Sequence, residues 1–270
     1  MISLSDLKKF KADGRKFSCL TCYDASMAKA MEVAEVDSIL VGDSLGMCIQ
    51  GRDSTLPVTV ADMAYHTAAV RRGNQHAFIM TDLPFMSYAT VQETLANACT
   101  VMQAGAQMVK MEGGAWLSES IEILTRNGIP VCVHLGLTPQ SVHVFGGYKL
   151  QARTREAADK LIADCRAVVE AGAAVLLLEC VPAQLGKEIT ELFPHMPVIG
   201  IGAGGDTDGQ VLVVQDMLGL TFGHVAKFVR NFMKEQSVET AILDAFKAYH
   251  TAVVDGSFPA KEHTFQVELS

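Results

Sequence analysis

The chain has 270 residues, 49% of them apolar, with 30 acidic and 22 basic side chains and a formal charge of −8 at neutral pH. An acidic balance without a block of five or six Lys and Arg argues against nucleic acid or an anionic membrane surface as a partner. No apolar run approaches the 18 or so residues of a membrane span, and Met1 to Arg15 is polar and amphipathic rather than a secretion signal, so no membrane association and a cytoplasmic location are expected.

In chain order, the sequence starts with a predicted helix over Leu4 to Lys11. Eight runs rich in Val, Ile, Leu and Met then read as strands: Ser18 to Asp24, Ser38 to Ser44, Phe78 to Pro84, Gln107 to Gly113, Pro130 to Gly136, Ala174 to Cys180, Pro197 to Ala203 and Val211 to Met217. Most are continuously apolar, the mark of parallel strands buried on both faces. Helical patterns lie between most of them: Ala61 to Gly73, a segment opened by the expected capping box Thr90-Val-Gln-Glu93 and ended by Gly105, and Thr154 to Gly172. A last helix is predicted from Lys227 to His250, with Phe228, Phe232, Ile242, Leu243 and Phe246 on it. It and the N-terminal helix are expected to pack on the body of the fold or on a neighbouring subunit. No composition shift marks a boundary, so residues 1–270 read as one domain with an extra N-terminal helix.

Strand, helix, strand repeated this often implies a parallel sheet, and eight repeats favour a closed (β/α)8 TIM barrel. The gap before the last strand is too short for a helix and leaves an open doubly wound sheet as the alternative. Two connections are long, Leu45 to Thr59 and Leu137 to Arg153. Both follow strand C-termini, the face where barrel enzymes carry their chemistry.

Weaker motifs have plainer readings. The seven cysteines are expected to be reduced, and Cys19 and Cys22 lie inside an apolar strand with no second pair at zinc spacing. The segment Gly200-Ile-Gly202-Ala-Gly204-Gly205 has dinucleotide-fingerprint spacing, yet no helix opens after it. It reads as a tight turn letting backbone approach a ligand. His66 is placed in a helix, His195, His224, His250 and His263 in surface-like surroundings, and His143 in the loop after strand five, as a solvated residue with reach of the site as the alternative.

The polar residues that end the strands carry the functional reading. They are Asp43 and Ser44 on strand two, Asp82 on three, Lys110 and Glu112 on four, His134 on five and Glu179 on six. Such a set converging on one barrel mouth points to a site. Asp43, Asp82 and Glu112 are hard oxygen donors without clustered Cys or His, which suits Mg²⁺ rather than zinc. A divalent cation there would chelate a 2-oxo acid and acidify its adjacent C–H, with Lys110 stabilising the enolate oxygen and Glu179 removing the proton.

Several of these stretches carry a resemblance. Leu40-Val-Gly-Asp-Ser-Leu-Gly-Met47, Asp82-Leu-Pro-Phe-Met-Ser-Tyr88, Val109-Lys-Met-Glu-Gly-Gly114, His134-Leu-Gly-Leu-Thr-Pro-Gln-Ser141, Gly146-Gly-Tyr-Lys149, Leu178-Glu179, Ile199-Gly-Ile-Gly-Ala-Gly204 and Asp208-Gly-Gln-Val-Leu-Val213 closely resemble the ketopantoate hydroxymethyltransferase family over about residues 3 to 265. The resemblance implies a barrel of the phosphoenolpyruvate/pyruvate type. It also implies transfer of a hydroxymethyl group from 5,10-methylenetetrahydrofolate to 3-methyl-2-oxobutanoate in pantothenate synthesis, in a homo-oligomer that is commonly a decamer in bacteria. By motif it implies Mg²⁺ on Asp43 and Asp82 with Glu112 belonging to the metal site, the oxo acid on Asp43, Ser44, Asp82 and Lys110, Glu179 as proton acceptor, and His134 lining the pocket. Three departures stand out: Cys22 where Ala is usual, Gly205-Asp-Thr-Asp208 in place of a stretch richer in Asn and Ala, and Ala152 where Gly is common. A Schiff-base aldolase using Lys110 would need no metal, a phosphonomutase-like enzyme lacks its Lys-Lys-Cys-Gly segment here, and a barrel that binds without turnover would not need the whole constellation.

Overall fold

The computed structural model describes residues 1–221, 225–233 and 241–267. Its strands are β1 (Phe17–Thr21), β2 (Ser38–Val41), β3 (Phe78–Asp82), β4 (Met108–Glu112), β5 (Val131–Gly136), β6 (Val175–Glu179), β7 (Val198–Ile201) and β8 (Gly209–Leu212). Each pairs in parallel with the next, and β8 returns to β1 through Phe17 opposite Gly209, so the sheet closes into a barrel. Nearly every strand position is buried, because one pleat face fills the barrel and the other lies under helices.

The helices are α1 (Leu4–Ala12), α2 (Ala25–Val33), α3 (Leu45–Cys48), α4 (Val60–Gly73), α5 (Val91–Gln103), α6 (Ser118–Arg126), α7 (Val142–Phe145), α8 (Arg155–Glu170), α9 (Ala183–Leu192), α10 (Val214–Met217) and α11 (Ala241–Val254). Side-chain caps open the longer ones: Ser3, Asp24, Thr59, Thr90 and Thr154 each accept from a first-turn amide. The capping box expected at Thr90 is half formed. Thr90 Oγ1 accepts from the Glu93 amide at 3.2 Å and its hydroxyl donates to Glu93 Oε2 at 2.9 Å, instead of Glu93 reaching the Thr90 amide. The ion pair of Lys11 with Asp208 at 2.8 Å fastens α1 across the N-terminal end of the barrel, away from the strand ends that carry the charged residues.

Three expectations are corrected at the C-terminal part of the chain. The last strand is Gly209–Leu212, not Val211 to Met217. Its length is set by pairing with β1, and Val214 and Met217, three apart, become the buried face of a helical turn whose first amide donates to Thr21 Oγ1 at 3.0 Å. The apolar run alone could not separate strand from helix. The helix expected from Lys227 to His250 is α11, running Ala241–Val254. Residues 225–233 are non-helical, with Phe228 and Phe232 buried, and residues 234–240 of that expectation lie outside those described. His250 is half-buried, with Nδ1 2.9 Å from Ser18 Oγ and 3.6 Å from Asp37, because α11 packs on β1. His66 lies in α4 and His143 and His195 are exposed, while His263 is half-buried beside Phe258; His224 is outside the described residues.

All seven cysteines are unpaired. Among the described residues no helix is long and apolar enough to cross a membrane.

Candidate active site

Register builds the site. Asp82 of β3 lies beside Lys110 of β4, Glu112 of β4 beside His134 of β5, and Gly136 of β5 beside Glu179 of β6. Lys110 and Glu112 are two residues apart and so share the inward face. Asp43 and Ser44 follow the last residue of β2 rather than ending it, in the turn that leads into α3. All seven of these side chains line one cavity of about 800 Å³, whose other walls include Thr21, Leu40, Leu177, Ile201, Val211 and Phe228.

The contacts are short and mostly buried. Lys110 Nζ lies 2.6 Å from Asp82 Oδ1 and 3.7 Å from Glu112 Oε1. The Asp43 amide donates to Asp82 Oδ2 at 3.0 Å. His134 stands between two carboxylates, Nδ1 at 3.3 Å from Glu112 and Nε2 at 3.2 Å from Glu179, without an aligned hydrogen bond at either nitrogen. Ser44 Oγ is 2.8 Å from Tyr23 Oη.

Burial and mutual repulsion set the charges. Burial pushes Asp43 well above the usual carboxylate range, and the neighbouring carboxylates of Asp82 and Glu112 push the same way. Burial acts against the Lys110 ammonium, but Asp82, Glu112 and Asp43 outweigh it and hold the amine protonated well above its ordinary value. Burial and Lys110 oppose the His134 imidazolium, while Glu112 and Glu179 override them and raise it to about 9. Burial likewise opposes the Glu112 carboxylate, yet His134, Lys110 and the Gln140 amide hold it below the usual range.

Four carboxylates therefore face two cations, and the strain falls on Asp43. That deficit of positive charge is what a divalent ion would correct. No group of three or more His, Cys, Asp and Glu side chains among the described residues is placed to wrap an ion unaided. This suits a cation that takes one or two carboxylates and completes its shell with water and substrate oxygens, as Mg²⁺ does. Both oxygens of Glu112 already have partners, Oε1 near His134 and Lys110 and Oε2 at 2.9 Å from the Gln140 amide.

Two site features were not assigned from sequence. Gln140 donates to Asp43 Oδ2 at 2.8 Å and Tyr88 donates to Gln140 Oε1 at 2.5 Å. Tyr88 ends the Asp82–Tyr88 stretch and Gln140 lies in His134–Ser141, but nothing in residue type alone points a glutamine of one loop at a carboxylate of another. The Gly200–Gly205 turn serves the chain's own side chains: a Cβ on Gly202 would lie 2.7 Å from the Phe228 ring, and one on Gly204 2.7 Å from Ala183. The glycines Gly202 and Gly204 make room for this packing, and Ile201, which precedes them, lines the cavity. Ala152, the departure from Gly, has φ +51, a left-handed conformation that favours glycine.

Fold and site together define a (β/α)8-barrel enzyme with its polar groups gathered at the C-terminal ends of the strands. Solved structures of this shape include a phosphonopyruvate hydrolase in complex with oxalate and Mg²⁺ (TM-score 0.62, 11% identity, 97% of this chain and 93% of that one). Another is 2,3-dimethylmalate lyase, a PEP mutase/isocitrate lyase superfamily member (TM-score 0.59, 14% identity, 95% and 99%); at these identities the likeness is one of fold. Sequence is decisive where shape is not: the profile of ketopantoate hydroxymethyltransferase matches residues 1–261, and the chain belongs to that family. Among its relatives, a 3-methyl-2-oxobutanoate hydroxymethyltransferase of Acinetobacter baumannii (strain SDF) is 86% identical over 269 residues and 100% of both chains. Its namesake in Psychrobacter sp. (strain PRwf-1) is 60% identical over 270 residues, 98% of this chain and 100% of the other.

Proposed function

We propose that the chain transfers a hydroxymethyl group from 5,10-methylenetetrahydrofolate to 3-methyl-2-oxobutanoate, giving 2-dehydropantoate and tetrahydrofolate in pantothenate synthesis, by Mg²⁺-assisted enolisation with Glu179 as base. The observation that carries this reading is the pairing, in one cavity, of a carboxylate braced by an imidazolium with a buried lysine held as ammonium.

Asp43 and Asp82 would hold Mg²⁺, with Glu112 behind them. When bound, the ion polarises the carbonyl of the oxo acid and makes the C3 hydrogen more acidic. Glu179 accepts that proton. The Lys110 ammonium, fixed by Asp82, donates to the substrate oxygen on which negative charge builds. An amine held protonated is a poor nucleophile, which favours this role over a Schiff base. His134, charged between Glu112 and Glu179, braces the base from 3.2 Å, and Ser44 contacts the oxo acid. Water opens the methylene bridge of the folate, breaking both of its C–N bonds to leave tetrahydrofolate and formaldehyde; the activated C3 adds to that carbon, and the former carbonyl oxygen takes up the proton held by Glu179 to become the hydroxyl group.

Tetrahydrofolate should appear only when purified protein meets the oxo acid, methylenetetrahydrofolate and Mg²⁺ together, and a chelator should stop turnover until Mg²⁺ is restored. Turnover in excess chelator, or substrate trapped on Lys110 by borohydride, would count against it.

The same reading includes a cytoplasmic homo-oligomer, a decamer by family resemblance. Exposed Val33 on α2 and Ile242 and Val254 on the adjoining α11 favour self-association. A stable 29.0 kDa monomer at micromolar concentration in light scattering would remove it.

A further inference from the structure

The two carboxylates read as metal ligands are held very differently. Asp82 is fixed through both oxygens, Oδ1 by Lys110 and Oδ2 by the Asp43 amide. The hydrogen bond that fixes the Asp43 carboxylate comes from Gln140 Nε2, at 2.8 Å to Oδ2. An aspartate carboxylate turns about a broad, roughly two-fold torsion, so this donor decides which oxygen faces the cavity.

The amide that does so is itself oriented. Gln140 Nε2 also lies 3.0 Å from the Leu83 carbonyl oxygen, which can only accept, so the NH₂ end must face Leu83 and Asp43. Its Oε1 then meets the Tyr88 hydroxyl at 2.5 Å. That hydroxyl sits 3.3 Å from the Glu112 amide, which can only donate, and 3.2 Å from the Glu112 carbonyl; the shortest contact takes its proton to Gln140. The Gln140 amide meanwhile donates to Glu112 Oε2 from the turn Pro139–Ser141. Gln140 and Tyr88 are buried, so water is a poor substitute for any of these bonds.

We infer that Gln140 is a positioning residue that presents Asp43 Oδ1 to the cavity for the cation, and that Tyr88 acts through Gln140 by holding its amide. The inference rests on Asp43 being a metal ligand, as proposed above.

Titration of the full-length, metal-free protein with Mn²⁺ alone, by calorimetry, tests it without turnover. Outer groups that orient metal ligands are typically worth 10–100-fold in affinity. Gln140→Met should weaken Mn²⁺ binding by about that factor, and Tyr88→Phe by roughly tenfold. The double variant should bind no more weakly than Gln140→Met, because both changes break one chain of contacts. The KM for the oxo acid should rise at low Mn²⁺ and recover at saturating Mn²⁺, which a general loosening of the fold would not produce. Tyr88→Phe removes a single oxygen and keeps the ring beside Trp116, so it decides the matter even where Gln140→Met does not fold. Wild-type affinity in Gln140→Met or Tyr88→Phe, or losses that multiply in the double variant, would overturn the inference. A wild-type protein that binds no Mn²⁺ would instead sink the underlying reading of Asp43, and the inference with it.

Discussion

Replacing Lys110 by methionine removes a cation that lies 2.6 Å from Asp82 and 3.7 Å from Glu112, all three side chains being 3% exposed. Methionine fills similar space, so the effect is electrostatic. Breaking a buried pair from one side typically costs about 3–5 kcal/mol, since the remaining charge is left uncompensated. With about 2.1 cal/mol/K of unfolding entropy per residue over 270 residues, Tm should fall by roughly 5–9 °C. The loss should depend on pH with a definite sign. Lys110 restrains the upward push on Asp43, whose ordinary value is 3.8, so its removal raises the folded-state carboxyl further. A carboxyl raised in the folded state destabilises progressively as pH climbs from its unfolded value towards the folded one, because the unfolded chain gives up the proton first. The Tm deficit, measured by calorimetry in chelator, should therefore be larger at pH 8 than at pH 5. A variant as stable as wild type, or a deficit equal at both pH values, would refute the charge balance assigned to this site.

His134→Asn carries the opposite sign. The imidazole goes from 6.5 unfolded to about 9 folded, so its contribution is complete below pH 6.5 and fades as pH rises through 9. The variant should melt about 5 °C below wild type at pH 6 and close to it at pH 9.5; an equal gap at both would contradict a charged His134. Gly136→Ala sets a Cβ 2.4 Å from the Glu179 carbonyl oxygen at φ +88, so the backbone carrying Glu179 must move. Misplacement of that order should lower kcat by about 10²-fold, and wild-type kcat would show that Glu179 tolerates the shift. Ala152→Gly relieves a left-handed alanine and should raise stability by up to about 1 kcal/mol, read as a higher denaturant midpoint; a lower midpoint would contradict it.

What the sequence made legible follows from where the information is local. Apolar runs of strand length marked β1 to β7 to within a few residues, and polar side chains at their ends marked the cavity, since strand ends in a parallel barrel all open on one face. Strand β8 is not legible because Val211 to Met217 is rich in apolar residues whether it pairs or coils, and only pairing with Phe17–Leu20 decides. Phe228 looked helical by spacing, yet its ring sits over Gly202, 26 residues earlier in the chain. Gln140 and Tyr88 are not legible as site residues, because their value lies in contacts across 52 and 97 residues of sequence that no local pattern encodes.

Removal of the C3 proton of a 2-oxo acid at this barrel mouth, with Glu179 as its acceptor, is read by following deuterium incorporation at C3 of 3-methyl-2-oxobutanoate in heavy water, with Mg²⁺ and without folate, for wild type and Glu179→Gln. Wild type should exchange the proton although no product can form. The glutamine variant should exchange it about 10² to 10⁴ times more slowly while still binding the oxo acid in the presence of Mg²⁺. Exchange by Glu179→Gln at the wild-type rate would show that another group is the base and contradict the mechanism.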